Sequence, residues 1–155
     1  MLRAATAEDL PILIALARSE AVAPFVAPGT ADRLAAAGDG DELLAIVDAD
    51  GAVVGGARLT VRSAHSRITS LTAVMLDPAA RGAGLGVRAV RALAAHAFAA
   101  GAHRIEAEVY GFNEAAQRTF AAAGFVHEGT RRRAYDRHGR WNDGVLYALL
   151  ADEVG

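Results

Sequence analysis

Asp77-Pro78-Ala79-Ala80-Arg81-Gly82-Ala83-Gly84-Leu85-Gly86-Val87 is the stretch on which the reading of this chain turns. Pro78 lacks an N–H and disfavours helix at the residue before it, so a strand arriving at Leu76 must leave its sheet here. Three glycines in five positions then let backbone N–H groups approach a ligand without interference from Cβ atoms. A helix follows at once, with Leu85, Ala89, Val90, Leu93, Ala94, Ala97 and Phe98 at helical spacing. Its unpaired N–H groups and positive dipole end point at the same loop, an arrangement suited to phosphate.

Two familiar phosphate motifs do not fit. A dinucleotide fingerprint needs a third glycine where Val87 stands, and it belongs in the first βα turn of a domain. A nucleoside-triphosphate loop ends in Gly-Lys-Ser/Thr, and this loop contains no lysine. What remains is Arg81-x-x-Gly84-x-Gly86 after a strand, or a tight turn whose glycines only relieve crowding.

Upstream, Leu2 to Ala5 reads as a strand. Thr6 with Asp9 suits a helix start ahead of the stripe Leu10, Leu13, Ile14, Leu16 and Ala17. Residues 23–29 are irregular. Thr30 is expected to cap a second helix that carries Leu34 and ends near Gly38. Strands follow at Leu43–Val47, Val53–Arg62 and Arg67–Leu76, the first two joined by an Asp50-Gly51 turn. Downstream of the long helix, which Gly101 ends, His103–Tyr110 alternates. Ile105, Ala107 and Val109 take one face; Glu106, Glu108 and Tyr110 take the other. Asn113 opens a short helix that Gly124 stops. Two last strands, near 125–136 and 141–150, meet at Arg137-His138-Gly139.

The loop and its sequel together resemble the GNAT superfamily of N-acetyltransferases. In that family an Arg/Gln-x-x-Gly-x-Gly/Ala loop is followed by a strand, an asparagine, a short helix and a Gly-Phe pair. Here these are Arg81 to Gly86, Glu106 to Val109, Asn113 to Gln117 and Gly124-Phe125, and the resemblance runs from Leu2 to about Glu153. It implies an α/β (α+β) fold with a mixed, mostly antiparallel sheet of about seven strands and about four helices. The two central parallel strands are expected to splay apart beyond Leu76 and Val109. It further implies acetyl-CoA as cosubstrate, with its pyrophosphate on the backbone of Arg81, Gly82, Ala83, Gly84, Leu85 and Gly86. The Leu76 backbone and the Asn113 side chain would lie near the pantetheine arm, although Asn113 also suits a plain helix cap. The ending, Gly139-Arg140-Trp141-Asn142-Asp143-Gly144-Val145-Leu146-Tyr147, resembles the ribosomal-protein N-terminal acetyltransferase branch. A protein N-terminal amine is therefore the first acceptor expected. The alternatives are a small-molecule amine, amino acid, polyamine or antibiotic, and a CoA-binding sensor without catalysis.

Acetyl transfer needs a neutral amine, a stabilised oxyanion and a proton for the leaving thiolate. Glu108 is the candidate base, with Glu106 able to replace it; pairing of Glu108 with an arginine such as Arg104 is the competing reading. The residues where relatives carry an acid are Phe120 and Ala116, neither of which donates a proton. Tyr110, Tyr135 and Tyr147 are candidates by residue type alone. The arginines Arg131, Arg132, Arg133, Arg137 and Arg140 read as a solvated basic hairpin, with attraction of an acidic partner as the sharper alternative. Trp141 is expected in the core or the acceptor wall.

Bulk properties agree with one enzyme-sized domain, taken here as residues 1–155. Of 155 residues 53% are apolar and 22% charged, enough for one packed core. A formal charge of −2 argues against general nucleic-acid binding, and the lack of cysteine excludes disulfides and thiolate chemistry. The five histidines show no metal-ligand spacing, so no metal is expected. No apolar run is long enough to span a bilayer and no signal segment is seen, so a cytoplasmic enzyme is expected, with a homodimer an option in this family.

Overall fold

The computed structural model describes residues 1–36, 38 and 40–154. Seven strands form one sheet: β1 Leu2–Ala4, β2 Asp41–Val47, β3 Val53–Ser63, β4 Ile68–Leu76, β5 Arg104–Tyr110, β6 Val126–Arg137 and β7 Arg140–Leu150. Their order is β1-β2-β3-β4-β5-β7-β6, and every neighbouring pair is antiparallel except β4–β5. A parallel pair requires a crossover. Helix α3, Leu85–Ala99, supplies it after the glycine loop. The other helices are α1 Leu10–Arg18, α2 Thr30–Ala35 and α4 Glu114–Ala122. This is the GNAT fold that the resemblance implies.

Each helix buries the stripe its spacing marks. Val90, Leu93 and Ala97 of α3 and Phe120 of α4 pack with Ile105, Ala107 and Tyr147 on one sheet face. Leu13 and Ala17 of α1, Leu34 of α2 and the connecting Val22 and Val26 gather around Met75 on the other. Glu106 and Glu108, alternating with Ile105 and Ala107, therefore point to the α1–α2 side.

The helix starts differ from expectation. Asp9, not Thr6, occupies the position before α1, and its carboxylate accepts from the Thr6 N–H at 2.7 Å and from Arg3 Nη1 at 2.5 Å and Nη2 at 3.0 Å. The Asp9 side chain makes no cap bond to α1, and its bond to the Thr6 N–H is the backward half of the box expected of these two residues. Thr30 lies inside α2 and donates back to Ala27 O at 2.5 Å, while Gly29, at φ +77°, takes the flanking position. Helix α2 stops at Ala35, short of the expected Gly38; residues 37 and 39 lie outside the described residues.

Asp9 is buried, and the Arg3 hydrogen bonds, followed by the Thr6 N–H, hold its carboxyl well below the usual carboxylate range. A pKa depressed in the folded state contributes stability above the unfolded value of about 3.9 and loses it as pH falls below that value. Asp9→Asn is therefore expected to lower the thermal midpoint at pH 7, with the gap to the parent protein closing below about pH 4. A gap of equal size at pH 3 and pH 7 would show that the ion pair is not its source.

Candidate active site

Strands β4 and β5 share a ladder only over Ile68–Arg104, Thr69–Ile105 and Ser70–Glu106. The splay thus opens after Ser70 and Glu106, several residues before the expected Leu76 and Val109. A bulge follows in β4. Between its pairings with Gly56 and Arg58 of β3 the strand carries one residue more than its partner, and Ala73 adopts φ +52°. Such a bulge bends the strand that carries it. From Leu71 to Leu76 and from Ala107 to Tyr110 the facing edges have no ladder partner in each other.

The gap is part of a cleft of about 1000 Å³. Gly82, Gly84 and Gly86 line one end, Leu76, Val109, Asn113 and Ala116 the middle, and Glu108, Tyr110, Tyr135, Phe25 and Thr30 the rest. At the loop end Gly82, Ala83 and Gly84 all have positive φ, at +92°, +53° and +73°. The N–H groups of Gly82, Ala83, Gly84, Gly86 and Val87 find no acceptor among the described residues. A run of left-handed residues before a helix makes an anion-binding concavity. The Arg81 side chain turns back to donate to Leu76 O at 3.2 Å, and Arg88 Nη1 donates to Ala83 O at 2.5 Å. Arg81 therefore braces the loop against the end of β4, and it occupies the Leu76 carbonyl in doing so. An unpartnered row of N–H donors and an unzipped, amide-lined gap are what a pyrophosphate and a pantetheine arm require. The residues present fit the cofactor.

Asn113 caps α4, its Oδ1 accepting from the Ala116 N–H at 3.2 Å, and it lines the cleft as well. Gln117 Nε2 donates to Gly111 O at 2.9 Å and fixes the turn between β5 and α4.

The two glutamates of β5 part company. Glu106 is gripped by Arg62, at 2.8 and 2.9 Å, and by Arg104 at 2.9 Å. Burial alone would raise its pKa, but the two arginines outweigh burial and hold it below the ordinary value. Arg104 also pairs with Glu128, so it is not the partner of Glu108. Glu108 instead accepts from the Tyr135 hydroxyl at 2.6 Å, with Arg131 Nε at 3.8 Å from the same Oε2. Glu108 lines the cleft and Glu106 does not.

Reaching Tyr135 on β6 requires the Glu108 side chain to cross β7. It crosses at Gly144, where an added Cβ would stand 2.6 Å from Tyr135 Cε2 and 3.0 Å from Glu108 Cδ. Gly144 is opposite both Tyr110 and Arg131 in the sheet. It has no signal in the sequence, because its role exists only once β5, β7 and β6 are adjacent. Gly144→Ala is expected to displace Glu108 and lower kcat tenfold or more while acetyl-CoA affinity holds. Equal kcat in the two proteins would show that the contact is dispensable.

The tyrosines sort cleanly. Tyr147 is buried and stacks on Phe120, which itself contacts Phe125; both belong to the core. Tyr110 stacks on Phe112 with ring centroids 5.0 Å apart and meets Tyr135 edge-on at 5.9 Å. Burial, followed by the bond to Glu108, pushes the Tyr135 hydroxyl up to about 12. Arg137 is not merely solvated: its Nη2 donates to Ala23 O and Val26 O, and its guanidinium lies 6.0 Å from the Tyr110 ring centroid. Trp141 is 65% exposed, contrary to the packing expected of it; it lies near the start of β7, opposite Asp136 and close to the hairpin turn. Among the described residues no group of three or more acidic or histidine side chains is placed to hold a metal, and no helix is long and apolar enough to cross a membrane.

The model of the acetyltransferase (GNAT) family matches residues 10–125. In fold, the chain is similar to spermidine N-acetyltransferase from Vibrio cholerae solved with CoA and spermine, at 20% identity and a TM-score of 0.87 over 99% of this chain and 96% of that one. It is also similar to a GNAT superfamily phosphinothricin acetyltransferase from Sinorhizobium meliloti solved with acetyl-CoA, at 24% identity and a TM-score of 0.82 over 97% and 87%. These likenesses correct one expectation: they are to spermidine and phosphinothricin enzymes and not to the ribosomal-protein N-terminal branch. The ending that suggested that branch serves the hairpin. Asn142 Nδ2 donates to Arg137 O and Arg140 O, and Asp143 accepts from the Arg133 N–H, so these residues report a turn and not an acceptor. Matched by the family model over most of its length, folded accordingly and equipped with the cofactor cradle, this chain belongs to the GNAT acetyltransferase family and transfers acetyl from acetyl-CoA to an amine.

Proposed function

We propose that the acceptor is the primary amine of a small molecule and that Glu108 takes its proton. The observation that carries this reading is the walled acceptor end of the cleft. The segment 23–26 is tied to the β6–β7 hairpin by Arg137, and by His138 Nε2 at 3.0 Å from Pro24 O. Phe25, Phe112, Tyr110 and Tyr135 form a chain of ring contacts from that segment to Glu108. A compact amine suits such a box better than an extended peptide does. The names of the two structural relatives, which specify spermidine and phosphinothricin, point the same way.

In this reading the free N–H groups of Gly82, Ala83, Gly84, Gly86 and Val87 hold the pyrophosphate, the open edges of β4 and β5 hold the pantetheine amides, and Asn113 flanks the thioester. Bound acetyl-CoA supplies an activated acyl group. Glu108 Oε2 is held by Tyr135 and Arg131, which leaves Oε1 to receive the amine proton. Tyr135, at about 12 and bonded to a carboxylate, is a poor acid for a thiol whose own pKa is about 8.5. With Phe120 in the core and Ala116 aprotic, water protonates the departing thiolate. Thiol release measured with small amines and with short peptides tests the acceptor. Turnover of peptides alone would overturn the small-molecule reading.

A further inference from the structure

The surface that runs from the base to segment 22–28 is apolar and aromatic. Tyr135 starts it, its hydroxyl bonded to Glu108 and its ring edge-on to Tyr110 at 5.9 Å. Phe112 continues it, with its ring centroid 5.0 Å from that of Tyr110 and 5.9 Å from that of Phe25. Beyond Phe25, Val22, Val26 and Met75 pack in one cluster and line the same cleft as Phe25, Tyr110, Tyr135 and Glu108.

Phe25 and Phe112 belong to neither core cluster and stand 44% and 38% exposed. Large apolar side chains left in water side by side mark a surface that something else covers. The charge of the cleft limits what that is. Among the described residues that line it, Glu108 is the one carboxylate, and it already accepts from Tyr135. A polyamine would bring several ammonium groups to that single anion, and the others would lie against rings and aliphatic side chains without a counter-charge. An amine on an aromatic body meets a matching surface. Its nitrogen reaches Glu108, while its ring leaves water and makes offset or edge-on contacts with rings already in place. We propose that the acceptor is a primary monoamine with an aromatic body, and that Phe25 and Tyr110 hold that body, with Phe112 bracing both. This rests on the small-molecule reading above and narrows it to a class distinct from the spermidine and phosphinothricin in the names of the structural relatives.

The test measures CoA release from acetyl-CoA with 2-phenylethylamine, ethanolamine and spermidine. The expected kcat/KM for phenylethylamine exceeds that for each of the other two by about 10- to 100-fold, the gain from burying one aromatic ring. Phe25→Ala is expected to reduce the phenylethylamine-to-ethanolamine ratio about three- to tenfold, and Phe25→Leu by less. General loss of structure would lower both rates and leave their ratio alone. Ethanolamine or spermidine used as well as phenylethylamine, or a ratio untouched by Phe25→Ala, would overturn the proposal and leave the small-molecule reading standing. Turnover of none of the three would also overturn it, and acetylation of peptide N-termini in their place would overturn both readings.

Discussion

Glu108→Gln is expected to lower kcat/KM for the amine by about 10²- to 10⁴-fold, the usual contribution of a positioned general base. The amide keeps the shape of the carboxylate and can still accept from Tyr135, so the sheet around it is undisturbed. What disappears is the ability to take a proton from the incoming amine. Acetyl-CoA affinity is expected to hold, because Glu108 lies away from the glycine loop. An unchanged rate and an unchanged pH profile would remove Glu108 from the mechanism. Glu106→Gln provides the contrast: its carboxylate is spent on Arg62 and Arg104, so the variant should lose stability before it loses catalysis.

The double substitution Gly82→Val/Gly84→Val is expected to weaken acetyl-CoA binding about 30- to 1000-fold. Both residues hold left-handed φ values, at +92° and +73°. That conformation costs a residue with a Cβ roughly 1–2 kcal/mol, and more when it is β-branched. Two such costs amount to roughly 2–4 kcal/mol, and each 1.4 kcal/mol is tenfold in affinity. The adjacent Ala83 already bears one such strain at φ +53°, so the loop has little reserve. If the loop gives way, its N–H groups no longer converge on a phosphate. Calorimetric titration with CoA checks the effect, and the unfolding midpoint separates it from general damage. Unaltered affinity would mean that the pyrophosphate is held elsewhere.

Much of this protein is legible along the chain because its signals are local. The αL glycines before a periodic helix, the alternation of 103–110, Asn113 ahead of a short helix and the helix-stopping glycines each arise from a few neighbouring residues. Local signals lose force where another residue takes up the side chain. Thr6 and Asp9 do pair, through the Thr6 N–H, but Arg3 also holds the Asp9 carboxylate, and α1 begins after Asp9 with no side-chain cap. The ending at 139–147 does not identify the acceptor, because Asn142 and Asp143 are taken up by backbone groups of the hairpin.

The loop from Arg81 to Gly86, the order of the elements and the kind of fold are readable along the chain, since backbone freedom, helix polarity and hydrophobic period are written in adjacent residues. Which glutamate lines the cleft, the room Gly144 leaves for it, where the splay begins and the tie between Arg137 and segment 23–26 emerge on folding alone, because each needs strands and loops distant in sequence to become neighbours. Glu106 and Glu108 have the same residue type and the same strand face, and the partners delivered by β3, β6 and β7 make one a structural anion and leave the other lining the cleft.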